Sequence, residues 1–176
     1  GMATANTIAA AQAGAFQLHT TVNGIGERAG NAALEEVLVA LYMKGKIRRY
    51  DLSHLTTLSA MVAQYSGIPV DKLKPVVGEH AFRHESGIHI AAILEDPSTY
   101  EYFPPGLVGA TRKFTLGKHT GKKALEHEVA RLGYSLPEKD LCRVLELVKD
   151  RGEKKVELTD ETLIDLIKMV LGGPPL

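Results

Sequence analysis

Thr20-Thr21-Val22-Asn23-Gly24-Ile25-Gly26-Glu27-Arg28-Ala29-Gly30-Asn31 sets three glycines and several polar side chains between two segments of different period. The run ahead of it, Phe16-Gln17-Leu18-His19-Thr20-Thr21-Val22, alternates apolar with polar or small residues and predicts a β-strand over 16–22. Behind it, Leu34, Val37, Leu38 and Leu41 recur at helical spacing and predict a helix over 32–44. Upstream, the alanine-rich segment 3–13 predicts a further helix, with Gly14 as its terminator. Residues 3–44 therefore read helix–strand–loop–helix, one and a half βα units. A lone strand cannot pair its own backbone groups. Its partners must come from chain outside these residues or from another molecule. In α/β folds the loops at the C-terminal ends of strands gather chemistry, and glycines let backbone approach a ligand closely. Asn31 stands at the N-cap position of the following helix, and capping is the commonest work of such a residue. Glu27 and Arg28 read equally as surface charges, and one glycine-rich turn is a weak signal by itself.

The 176 residues suffice for one sizeable domain or two small ones. Apolar residues make up 44% and charged residues 24%, an ordinary balance for a soluble globular chain. The 21 basic and 21 acidic residues cancel, which argues against nucleic acid as the main partner. Cys142 is the single cysteine, so neither an intrachain disulfide nor a cysteine metal cluster can form. That fits a reducing, cytoplasmic setting. No run reaches the ~18 apolar residues of a membrane span, and no basic, apolar leader is visible at the start.

Further along, Leu55, Leu58, Met61, Val62 and Tyr65 predict a helix over 52–65, closed by Gly67. The irregular stretch that follows contains His80, His84, Glu85 and His89, a set that admits a metal-site reading. The spacing is not that of a helical zinc motif. His89 also suits general acid–base work, because imidazole titrates near neutrality. Asp96-Pro97-Ser98-Thr99-Tyr100 reads as a turn, and Pro104-Pro105-Gly106 as a stiff break. Leu116-Gly117-Lys118-His119-Thr120-Gly121-Lys122-Lys123 opens another helix. Its basic residues suit either a phosphate at the helix start or plain solvation. Leu141, Val144, Leu145 and Val148 mark an amphipathic helix after Pro137. A last helix carries Leu163, Ile164, Leu166 and Ile167, is capped by Thr159 or Asp160, and is ended by Gly172-Gly173-Pro174-Pro175.

Three of these stretches, in order, resemble the signature motifs of the 2-isopropylmalate synthase and homocitrate synthase family. They are Asn23-Gly24-Ile25-Gly26-Glu27-Arg28-Ala29-Gly30-Asn31, then His84-Glu85-Ser86-Gly87-Ile88-His89 with Asp96-Pro97-Ser98-Thr99-Tyr100-Glu101, then Leu116-Gly117-Lys118-His119-Thr120-Gly121. Three separated motifs are far more specific than one. The resemblance implies a TIM barrel that holds a divalent metal (zinc, magnesium or manganese) and condenses acetyl-CoA with a 2-oxoacid. Gly1-Met2-Ala3-Thr4-Ala5-Asn6 looks like the residues that follow the His-x-His motif of such barrels. On that basis the chain is expected to be the C-terminal part of such an enzyme, an α/β fragment that is mostly α. Residues 1–46 would be the last helix–strand–helix of the barrel, 47–112 a linker subdomain, and 113–176 a helical subdomain.

The metal-binding His pair and the acidic base of the family lie outside these residues, so the isolated chain is expected to be inactive. By the same resemblance Asn31 corresponds to the metal-ligand Asn of the loop, and Glu27 and Arg28 line the same site. His89 and Tyr100 correspond to the pair inserted into the neighbouring subunit's active site, which implies a homodimer. Homocitrate synthase is favoured, with 2-isopropylmalate or citramalate synthase next. The competing expectation is a non-catalytic dimerisation or complementation module for a separate barrel chain.

Overall fold

The computed structural model describes residues 1–172 apart from 155 and 157. The expected terminator Gly173-Pro174-Pro175 and the end of the connector at Lys155 therefore lie outside the described residues. The chain divides into two compact units. One holds Gly1–Phe82 and Pro105–Thr111. The other holds Arg83–Pro104 and the described residues from Arg112 on.

In the first unit, α1 (Ala3–Gln12) leads through an extended stretch and a tight turn to α2 (Leu34–Met43), and α3 (Leu55–Ser66) follows. The expected helices are present, and Gly67 closes α3 at φ 70°, a left-handed conformation that costs glycine little. The α1 helix buries none of its own side chains and is tied to α2 by the Thr4 hydroxyl, which donates to Glu36 Oε2 at 2.7 Å. Ala33, Val37, Val39, Leu52 and Leu55 are buried. The return segment 105–111 joins this unit. Val108 there is fully buried, and its carbonyl accepts from the Thr56 hydroxyl at 2.7 Å.

The strand expected over 16–22 does not form. Only Thr21 bridges, in parallel with Ala33: Thr21 N–H donates to Ala32 O (3.1 Å), and Leu34 N–H donates to Thr21 O (2.9 Å). The physical reason is the one that made a lone strand suspect. Alternation supplies a pleat but no neighbour, and among the described residues no second strand lies along 16–20. Phe16 is left fully exposed. The same stretch edges an apolar groove of about 660 Å³ that Leu18, Leu34, Leu38, Leu41 and Leu58 also line.

The second unit starts with β1 (Arg83–His84), then α4 (Gly87–Glu95), β2 (Lys113–Phe114), α5 (Lys122–Arg131), α6 (Glu138–Glu153) and α7 (Asp160–Val170). The strands β1 and β2 pair in parallel, Arg83 opposite Lys113 and His84 opposite Phe114. A single β-segment was expected in the whole chain. Each of these strands is two residues long, too short for alternation to register. The pair is continued by Thr115 N–H donating to His84 O at 2.8 Å.

The core of this unit is a helical cluster. Leu141, Val144 and Val148 fall on one face of α6, and Leu163, Leu166 and Ile167 on one face of α7. They close on Leu125 and Val129 of α5, with Leu116 beneath. Thr159 caps α7 as expected, accepting from Thr162 N–H at 3.3 Å. Arg131 on α5 reaches the Asp160 carboxylate at the start of α7. The α4 and α5 helices meet through glycines: a Cβ on Gly87 would lie 2.8 Å from Gly121 N. No helix among the described residues is long and apolar enough to cross a membrane. Ile167 is wholly enclosed, so Ile167→Ala removes its contacts and leaves a cavity. It is expected to destabilise the second unit by about 2–5 kcal/mol, read as the urea midpoint of the helical signal.

Candidate functional site

The glycine-rich loop is held from several sides. Residues 22–24 make one turn of 3-10 helix, with Asn23 at φ 61°. That left-handed conformation is uncommon for a side-chain-bearing residue, though Asn tolerates it better than most. Three contacts fix it. Asn23 N–H donates to Glu35 Oε2 (3.1 Å), Asn23 Nδ2 donates to Ser59 O (2.9 Å), and the Ser59 hydroxyl donates to Asn23 Oδ1 (2.5 Å). Glu35 is only 1% exposed, and its other oxygen lies 3.3 Å from Lys74 Nζ, which also holds Glu36 Oε1 at 3.0 Å. Burial alone would lower the Lys74 pKa, but the Glu36 and Glu35 carboxylates outweigh it and hold the ammonium above its ordinary value. A buried charge is tolerable when paired in this way.

The far end of the loop folds back on its start. Asn31 N–H donates to Gly24 O at 2.9 Å, and Gly30 N–H donates to Glu27 O at 3.2 Å. Asn31 is not the helix cap that its position suggested. The cap of α2 is Ala33, without a side-chain bond, because the Thr21–Ala33 bridge already orders the helix entry. The amide of Asn31 turns instead to the loop, where Nδ2 donates to Ile25 O at 3.1 Å. No donor among the described residues reaches its Oδ1. Gly26 makes room for this amide, since a Cβ there would overlap Asn31 Nδ2. Glu27 and Arg28 are exposed, and Arg28 also sits at positive φ (60°). Neither side chain makes a hydrogen bond or ion pair among the described residues.

The second group of candidates lies in the second unit. His89 is the third residue of α4, and Tyr100 follows the turn that Asp96 caps by accepting from Ser98 N–H at 2.9 Å. Both are exposed, and their rings stack with centroids 4.2 Å apart at 33°. Next to Tyr100, Glu101 is nearly buried. The Arg112 guanidinium grips both its oxygens, Nε to Oε1 at 2.6 Å and Nη2 to Oε2 at 2.7 Å. Arg112 holds the Glu101 carboxyl below its ordinary value. His84 Nε2 lies 3.5 Å from Glu101 Oε1. Burial lowers the His84 pKa despite that neighbour.

So the structure gathers Glu27, Arg28 and Asn31 on one loop of the first unit, and His89 with Tyr100 in the second. The set His80, His84, Glu85 and His89 does not converge: among the described residues, no group of three or more His, Cys, Asp or Glu side chains is placed to share an ion. Lys122, in the basic turn before α5, is paired with Glu138. Sequence reasoning missed the supports, namely Asn23, Glu35, Ser59 and Lys74 under the loop, and Glu101 with Arg112 beside the ring pair. Glu35 carried a signal, as a carboxylate on a helix face flanked by buried Ala33 and Val37. Arg112 carried none.

Two tests follow from this geometry. Gly30 sits at φ 87°, and a Cβ there would overlap Gly24 O. Gly30→Ala is expected to cost about 1–3 kcal/mol and to shift the Asn31 side-chain amide resonances. For the Glu101–Arg112 pair, a depressed carboxyl pKa means stability that is full above the ordinary glutamate value of 4.5 and is lost as pH falls through the lowered folded value. The urea stability gap between the unaltered chain and Arg112→Gln is therefore expected at pH 7 and should close on acidification below 4.5.

Comparison with known proteins gives the family. The family model described as HMGL-like matches residues 1–62, and the model described as homocitrate synthase post-HMGL domain-like matches residues 76–156. Homocitrate synthase AksA of Methanosarcina mazei is 60% identical over 155 residues, which are 88% of this chain and 38% of that protein. The AksA of Methanosarcina acetivorans is 56% identical over 171 residues, 97% of this chain and 42% of that protein. A probable 2-isopropylmalate synthase of Ignicoccus hospitalis is 44% identical over 172 residues, 97% of this chain and 43% of that protein. The chain thus spans about two fifths of the length of these relatives. Two family models in tandem and high identity over nearly all its residues place it: the chain belongs to the homocitrate synthase and 2-isopropylmalate synthase family.

Proposed function

We propose that this chain contributes part of the active site of an acyltransferase that condenses acetyl-CoA with a 2-oxoacid. Homocitrate synthase is favoured, with 2-isopropylmalate or citramalate synthase next. The observation that carries the reading is 60% identity to a protein named homocitrate synthase. Relatives named putative (R)-citramalate synthase and probable 2-isopropylmalate synthase, at 47% and 44%, support the same chemical class. In this reading residues 1–46 complete a barrel, 47–112 form a linker subdomain and 113–176 a helical one. Two copies share their sites as a homodimer in the cytoplasm. The 176 residues alone do not turn over.

The residues divide the work by their chemistry. Asn31 suits a divalent metal (zinc, magnesium or manganese), because its Oδ1 is a hard acceptor without a donor while Nδ2 is fixed on Ile25 O. When bound, such a metal polarises the 2-oxoacid carbonyl as a Lewis acid. Glu27 and Arg28 line the same site from an exposed stretch of the loop. His89 and Tyr100 serve the acetyl-CoA side. An imidazole and a phenol held in ring contact can together offer an N–H or O–H to the thioester oxygen, while a base supplied from outside these residues takes the proton of the methyl carbon. The carbanion then attacks the 2-oxoacid carbonyl carbon, and water later releases CoA from the thioester.

The second reading is a non-catalytic module that only completes a separate barrel chain. The unpaired segment 16–20 beside an apolar groove favours it. One assay separates the two: mix the chain with an N-terminal barrel fragment and follow CoA release from acetyl-CoA and 2-oxoglutarate. Release on mixing, lowered about 100-fold or more by His89→Ala, is the expected result. A stable mixed complex that releases no CoA with any 2-oxoacid leaves only the module.

A further inference from the structure

Tyr100 and His89 form a contact that nothing in the two side chains themselves secures. Both rings are exposed, Tyr100 by 48%, and water competes for each face. The turn before Tyr100 is closed by backbone bonds to its own residues, Tyr100 N–H to Pro97 O at 3.3 Å and Glu101 N–H to Pro97 O at 3.0 Å. These shape the turn, and Asp96 N–H, donating to Ala92 O at 2.8 Å, joins its start to the end of α4. A second tie, at the far end of the turn, comes one residue later. The Glu101 side chain is 3% exposed, and Arg112 takes both its oxygens in a two-pronged grip.

Arg112 directly precedes β2. That strand pairs with β1, and β1 runs within three residues into α4, which carries His89. The connections therefore close a ring: His89, α4, β1, β2, Arg112, Glu101, Tyr100 and back to His89. His84 of β1 adds a strut, its Nε2 3.5 Å from the same Glu101 oxygen. A two-residue strand pair is a slender element, and a two-pronged grip on a buried carboxylate joined to it is an arrangement suited to placement.

We infer that the Glu101–Arg112 ion pair is a positioning device that holds the Tyr100 phenol against the His89 imidazole, so that the two act as one unit. The inference rests on the role proposed above for those two residues. Neither Glu101 nor Arg112 needs to touch substrate. They fix the backbone of residue 101, and the neighbouring Tyr100 follows. A displacement of about 1 Å in such a group costs roughly 100-fold in rate. The guanidinium matters by shape as well as charge, since an ammonium cannot make the same two parallel bonds.

The test is NMR of the 176-residue chain, unaltered and as Arg112→Gln, Arg112→Lys and Glu101→Gln. NOEs between the His89 and Tyr100 rings report the contact, and the methyl signals of Leu125, Val144 and Ile167 report the helical core. The expected result is loss of the ring NOEs in Arg112→Gln and Glu101→Gln with core methyls in place, and partial retention in Arg112→Lys. In the mixing assay, kcat should fall 10- to 100-fold in Arg112→Gln while KM for the 2-oxoacid holds. Ring NOEs of full intensity in a folded Arg112→Gln or Glu101→Gln chain overturn the inference. Should Arg112→Gln lose its core methyl signals, Glu101→Gln, which keeps a neutral acceptor for Arg112, decides by the same readout. Full turnover in His89→Ala overturns instead the catalytic reading beneath it, whatever the NOEs show.

Discussion

A carboxylate with 1% of its surface exposed governs the glycine-rich loop. Glu35 sits in the first turn of α2, where the helix dipole favours an anion. It spends one oxygen on the backbone N–H of Asn23 and the other on Lys74. That first bond is what lets Asn23 hold a left-handed conformation, and the turn it makes places Gly24 O where Asn31 N–H can reach it. The orientation of the Asn31 amide thus traces back, through two hydrogen bonds and one unusual φ, to a buried acid. Buried ion pairs are weak sources of net stability, because desolvating the charges offsets their attraction. Their use here is geometric: an alternative loop conformation would leave one oxygen of the buried Glu35 carboxylate without its backbone hydrogen bond.

The second unit repeats the device with different parts. Glu101 is buried and doubly held, while its neighbour Tyr100 is exposed and stacked on His89. In both units the residues that carry the chemistry of the proposal face solvent. Those that keep them in place centre on a buried carboxylate, Glu35 in one unit and Glu101 in the other. Exposed groups that must meet a substrate cannot be fixed by packing, so the restraint has to enter through the backbone from residues a short way off.

This division explains what could be read from the chain beforehand. The helices were legible because apolar spacing records burial directly: Leu141, Val144 and Val148, or Leu163, Leu166 and Ile167, sit at intervals that only a helix face explains. The turn at Asp96 and the cap at Thr159 were legible because their side chains bond their own neighbours. Asn23, Ser59, Lys74 and Arg112 were not, because each acts on a residue distant in sequence and nothing local marks the pairing. The strand at 16–22 failed for the opposite reason. Its alternation is plain, but a strand is a relation between two segments, and among the described residues no second strand lies along it. Asn31 was placed correctly next to a helix and given the wrong bond, since the Thr21–Ala33 bridge had already done the work of a cap.

For the barrel reading proposed above, the unformed strand and the well-formed loop bear on how such a site would be made. Loop geometry here depends on Thr21 through Glu35 and on Ser59 and Lys74, and not on any neighbour for residues 16–20. A loop that owes its shape to its own unit can be ordered without a strand alongside 16–20. The Thr21 hydroxyl donates to Ile25 O at 2.6 Å, the same carbonyl that Asn31 Nδ2 engages, so the last residue of the extended segment and the candidate metal-facing amide share one acceptor. Pairing of 16–20 with further strands would then reach the site through Thr21, by tightening an anchor that already exists.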